Sequence, residues 1–187
     1  MERGCLYHII MEDKLKQIRL ALFARRNGMV ADALRAAGDP HEMLMGCPLS
    51  DIIAVASDYE PSAELAEALW AARKHRECRL LAPMLYPTAV CDQATALRWC
   101  HEVQTQEEAD VLCHRLLRRL NCAPAVMQTL LDTSEPLLRY TAFRLMLNLQ
   151  LLGRIQIDNH LLRVITDELS HNPSPALRQV LVSLSEE

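Results

Sequence analysis

Glycine and aromatic residues are scarce in this chain, with five glycines among 187 residues and aromatics at 4%. So few glycines, spread singly, exclude a glycine-rich phosphate-binding loop. Sheets draw on aromatic and β-branched residues, so an apolar content made mainly of Leu, Ala, Met, Val and Ile favours helices packed through aliphatic ridges. Lysine is almost missing: Lys14, Lys16 and Lys74 are the only ones, and the remaining bases are arginines. A basic surplus is missing as well, since the formal net charge is −4 and the pI about 6.0. That average argues against a chain that embraces nucleic acid over its whole surface, although it can conceal one basic face.

Other absences narrow the chemistry. The seven cysteines, Cys5, Cys47, Cys78, Cys91, Cys100, Cys113 and Cys122, are odd in number, scattered and free of any CxxC spacing. A disulfide framework is not expected, and a reducing cytoplasmic setting with buried thiols is. Only Cys113 and His114 form a local ligand pair, so no metal and no cofactor are expected. HExxH, a nucleophile elbow and a calcium loop are all lacking. No apolar run reaches the roughly 18 residues of a membrane span. The segment MERGCLYHIIMEDK carries an acid at once and too short an apolar patch for a secretory signal.

What is present is helical periodicity. Leu15, Ile18, Leu22 and Phe23 recur on one face of a helix expected over 12–26 and closed by Gly28, with a short helix following to about 37. Ser50 and Ser62 are placed to cap helices, Ser62 through the amide of Leu65. A helix over 76–86 is expected to kink or shorten at Pro83, which lacks a donor amide. Thr105 followed by Glu108 is a capping box, after which Ala109, Leu112, Leu116 and Leu120 keep helical spacing. Pro124, Pro136 and Pro175 mark helix starts, and Gly153 and Asn172-Pro173 mark stops. The total is about ten helices. Blocks 88–120, 122–152 and 155–184 each read as a helix pair with a period near 30–35 residues. A lone pair cannot bury its apolar faces, so the pattern predicts an all-α solenoid of stacked antiparallel pairs in one domain over 1–187, with an irregular bundle as the rival.

Three basic features could contact phosphate. The first is Arg73-Lys74-His75-Arg76 with Arg79, beside Trp70. The second is His114-Arg115 with Arg118-Arg119, where Arg115 and Arg119 share a helix face. The third is the series Arg139, Arg144, Arg154, Arg163 and Arg178, which aligned helices could gather into one stripe. The same residues serve equally as solvated helix faces and C-terminal dipole partners. Trp70 and Trp99 read as core or groove aromatics and are the aromatic surface candidates, Trp99 the better one with Arg98 beside it.

The ordered series Pro48-Leu49-Ser50-Asp51-Ile52-Ile53-Ala54-Val55-Ala56, Leu65-Ala66-Glu67-Ala68-Leu69-Trp70 and Arg76-Glu77-Cys78-Arg79-Leu80-Leu81-Ala82 resembles the DNA alkylation repair proteins with HEAT-like repeats. The resemblance spans about residues 46–142. It implies an ARM-like superhelix with a basic concave face for duplex DNA, and glycosylase relatives that excise cationic alkylated purines. In such a step a carboxylate favours the cation developing on the sugar, assisted by an aromatic face. The family's aromatic/aspartate pair falls on Gln106 and Asp110: the acid is kept and the aromatic is not. Its phosphate-binding arginine falls on Arg139, where Leu138 replaces a typical tryptophan, and no tryptophan follows Trp99. The resemblance therefore implies a DNA-binding relative that has diverged in, or lost, excision, with Asp110 as its catalytic candidate. A helical scaffold for a protein partner is the alternative.

Overall fold

The computed structural model describes residues 2–185, and it is helical throughout apart from one isolated bridge between Met43 and His75. The chain forms two compact units, 1–90 and 91–187. The first holds α1 (Glu2–Ala24), α2 (Gly28–Ala36), α3 (Leu49–Ser57), α4 (Ala63–Trp70) and α5 (Arg76–Leu85). The second holds α6 (Gln93–His101), α7 (Gln106–Arg115), a 3-10 turn over Leu117–Arg119, α8 (Ala123–Leu131), α9 (Pro136–Leu151), α10 (Asn159–Ser170) and α11 (Pro175–Ser185).

In the first unit α4 packs along α5, α3 also lies on α5, and α1 crosses α3 and α4. Its core is Ile18 and Leu22 from α1 with Ile52, Leu65, Leu69, Trp70 and Leu81, all nearly inaccessible. In the second unit α9 is the spine, contacting α8, α7 and α11, while α10 packs on α11. Trp99, Leu112, Phe143 and Leu149 fill its centre. The spacing pairs α6 with α7, but α6 packs mainly on α8 and α9.

Caps were the readable boundaries. Ser62 Oγ accepts from the amide of Leu65 at 3.2 Å, Thr105 Oγ1 from Glu108 at 3.1 Å, and Ser174 Oγ from Leu177 at 3.3 Å. Glu108 completes its box one residue early, accepting from the amide of Gln104 at 2.8 Å. Gly153 closes α9 at φ +65. Other expectations need correction. Gly28 opens α2 instead of closing α1, because Asn27 caps it by accepting from the amide of Val30 at 3.3 Å. Ser50 caps nothing: α3 begins one residue earlier, after Pro48. Pro83 sits inside α5, which runs on to Leu85. Phe23 faces solvent rather than the core. α7 stops at Arg115, because Leu116 departs to φ −117, ψ −66 and the chain tightens into the 3-10 turn; Leu116 and Leu120 are buried all the same.

Among the described side chains, Cys47, Cys78, Cys91, Cys100 and Cys113 are buried free thiols and Cys122 is half-buried; the side chain of Cys5 lies outside those described. Burial pushes the thiols of Cys47 and Cys78 up to about 11 and that of Cys100 to about 12, so they act as small apolar groups. No described helix is long and apolar enough to cross a membrane.

Candidate nucleic-acid interface

The first basic segment divides: Arg73 and Lys74 stay exposed, Lys74 pairing with Glu42 at 2.9 Å, while Arg76 and Arg79 fold inward. Arg76 and Arg79 are 4% and 1% exposed. Nη1 of Arg76 donates to Glu77 Oε1 at 2.9 Å, and Glu77 also accepts from the amides of Met45 and Gly46. Arg79 Nη1 donates to the carbonyl of Trp70 at 2.7 Å, and its guanidinium lies 3.6 Å from the Trp70 ring centroid. These two arginines, expected at phosphates, instead hold α4 and α5 to the preceding loop. Desolvated arginine needs such planar partners, and the indole supplies one. Of the core and surface readings of Trp70 and Trp99 the core one holds: they are 1% and 0% exposed, since indoles of this size complete the two cores.

The second unit holds the acid. Asp110 lies in the middle of α7, half-buried, and its Oδ1 accepts from the Tyr140 hydroxyl at 2.8 Å. Arg144, one turn further along α9 from Tyr140, brings Nε to 2.9 Å from the same oxygen as an ion pair, off the direction of a hydrogen bond. Burial raises the Asp110 carboxyl above its usual range, against the opposing pull of Tyr140 and Arg144, while Glu107 adds to the rise. The Tyr140 phenol is pushed up by burial and by donating to Asp110, so it remains a donor.

Arg139 is a staple. Its Nε donates to Glu168 Oε2 at 2.8 Å and Nη2 donates to the same oxygen, while Nη1 donates to the carbonyls of Leu131 and Thr133. Expected to hold a phosphate, it is mostly spent on joining α9 to α10 and to the end of α8. A cleft of about 340 Å³ opens beside it, lined by Gln106, Tyr140, Arg139, Glu168 and Ser174.

Arg115, Arg118 and Arg119 differ from every arginine above. They sit where α7 gives way to the 3-10 turn, Arg119 exposed and the other two partly so, and none has a carboxylate partner among the described residues. Arg154 steadies the corner by donating to the carbonyls of Arg118 at 2.5 Å and Leu120 at 2.9 Å. Burial first, and then the charges of Arg118, Arg115 and Arg144, hold His114 below its ordinary value. Of the later arginines, Arg178 bonds Asn172 Oδ1 at 3.2 Å and Arg163 is exposed.

Tyr140 and Glu168 escaped the sequence reading as site residues, and Arg144, read as part of a phosphate-contacting stripe, pairs with Asp110 instead. A signal existed: Tyr140 lies 30 residues after Asp110 and Glu168 lies 29 after Arg139. These separations match the expected repeat period, and Tyr140 and Arg144 share a helix face. Among the described residues no three His, Cys, Asp or Glu side chains converge as a metal set.

A family model described as DNA alkylation repair enzyme matches residues 18–174. Among solved structures, one described as "A new family of proteins related to the HEAT-like repeat DNA glycosylases with affinity for branched DNA structures" superposes with a TM-score of 0.74 at 15% identity. The superposition covers 90% of this chain and 73% of that one. At this identity the likeness establishes the fold, a HEAT-like arrangement of helical repeats. Among curated proteins nothing matches.

Proposed function

The chain belongs to the DNA alkylation repair enzyme family, and on that premise we propose that it binds DNA through the corner after α7 while having lost the excision of cationic alkylated purines. The observation that carries the reading is the trio Arg115, Arg118 and Arg119, without carboxylate partners among the described residues in a chain of net charge −4. Arginines without carboxylate partners supply phosphate contacts at no cost in broken ion pairs. The similar solved structure, described as having affinity for branched DNA, supports the same partner class.

Asp110 is the residue that would face the sugar. Its charge is already engaged by Arg144 and Tyr140, and Gln106 at the adjoining cleft offers an amide where an aromatic face would hold a cation. Both features reduce what the acid can give to a developing positive charge.

Binding and base release measured in the same tubes test the reading, with duplexes carrying a cationic alkylpurine, their undamaged counterparts and a branched junction. Salt-sensitive binding without release is expected. Release that disappears in a folded Asp110→Asn variant would restore the enzyme reading. Absence of binding at low salt would remove the DNA reading altogether.

A further inference from the structure

α1 buries one apolar stripe, Ile18 and Leu22, and presents a second one to solvent. Leu20 and Phe23 are 59% and 51% exposed, and Met43, across from them, is 49% exposed. A helix apolar on two faces is normally covered on both. Here the second face walls a groove of about 520 Å³, with Met43 and Met45 opposite and His75 on its floor. The opposite wall is fixed: the Met43 amide donates to the Lys74 carbonyl at 2.8 Å, and the Arg76 amide donates to the Met43 carbonyl at 3.2 Å. The groove is therefore formed before anything enters it.

Independently of the DNA reading, we infer that this groove seats an amphipathic α-helix of a protein partner, with large apolar side chains along one stripe and acidic residues on its flanks. Charge supports the choice. Lys16 and Arg19 edge the groove and Arg26 lies 4.1 Å from the Phe23 ring centroid, against Glu12 as the one acid among the described lining residues. The His75 Nδ1 is buried without a hydrogen-bond partner. Burial and then Arg19 disfavour the charged form of that ring, so the basic character of the groove comes from Lys16 and Arg19. Apolar anchors spaced along a helix, with methionines that adjust to them, are the usual contents of such a groove. A second copy of this chain would set Lys16 and Arg19 against their own kind, and a membrane would meet a concave face where insertion needs a protruding one.

The test uses the full chain and a side-chain-bridged helical peptide bearing Leu and Phe at i, i+3 and i+7 with glutamates on both flanks. A lysine-flanked twin and anionic phospholipid vesicles serve as alternatives. Saturable binding of the acidic peptide is expected, weakened on the order of tenfold by Leu20→Asp or Phe23→Asp with thermal unfolding unchanged. Lys16→Glu, at an exposed position, is expected to shift preference toward the lysine-flanked peptide. The inference is overturned by no saturable binding, by equal affinity for the two peptides, or by variants that bind as well as the parent. Binding of vesicles but not peptide, or a dimer that Phe23→Asp dissolves, overturns it equally.

Discussion

Glu77 carries a carboxylate into a place where water does not follow, and the chain answers with Arg76 and the amides of Met45 and Gly46. Removing the charge leaves a desolvated guanidinium. Glu77→Gln is expected to cost about 3 kcal/mol, read from urea unfolding, whereas Arg119→Ala at the exposed corner is expected to change stability by less than about 0.5 kcal/mol. His114 supplies a pH prediction. Its pKa is held below the ordinary 6.5 in the folded chain, so its contribution to stability is complete above that value and is lost as pH falls through the lower folded value. Phosphates placed on Arg115 and Arg118 would cancel part of the field that lowers it. Binding then takes up a proton, and DNA affinity is expected to rise as pH falls below about 6.5. His114→Gln is expected to flatten that dependence in an anisotropy titration; an unchanged slope contradicts the placement of DNA at this corner. Asp110 runs the opposite way to an ordinary salt-bridged acid. Its folded pKa is raised, so its contribution is present below the unfolded value and lost as pH rises through the folded one.

At the scale of elements, what a sequence reveals depends on how local the cause is. Ser62, Thr105 and Ser174 cap helices through amides three residues on, and such bonds are decided within one turn. Thr105→Ala is accordingly expected to cost about 1 kcal/mol in thermal or chemical unfolding. Non-local causes escaped. Gly28 looked like a stop because its neighbour Asn27 could not be recognised as a cap without the loop over it: the Asn27 amide donates to the Met45 carbonyl at 2.8 Å. Gly46 explains why that loop can come so close. It holds φ +72, and a Cβ there would meet the Asn27 carbonyl oxygen at 2.2 Å, so Gly46→Ala is expected to destabilise the first unit sharply by calorimetry. Pro83 stays in α5 near its C-terminal end, where it removes only the bond to the carbonyl of Arg79.

Across the whole molecule, composition and periodicity yielded the helical class and the repeat length, while charge bookkeeping misled. A tally of arginines treats Arg76, Arg79 and Arg139 as equals of Arg115 and Arg119. Their partners divide them: the first three are committed to Glu77, Trp70 and Glu168, and the last two have no carboxylate partner among the described residues. Trp99, too, read as a groove aromatic only because Arg98 follows the surface side of the same turn. The pairing of Asp110 with Tyr140 was within reach, one repeat apart, but choosing which residue of the next repeat points back requires the helix faces to be known.

The central claim, that Arg115, Arg118 and Arg119 form the phosphate-contacting surface, is met most directly by the salt dependence of DNA affinity in the parent and in a triple alanine variant. Each phosphate contact released contributes about 0.9 to the slope of log K against log salt. The account predicts a steep slope in the parent that falls by roughly three in the variant, with unfolding unchanged. Identical slopes in the two proteins would contradict it.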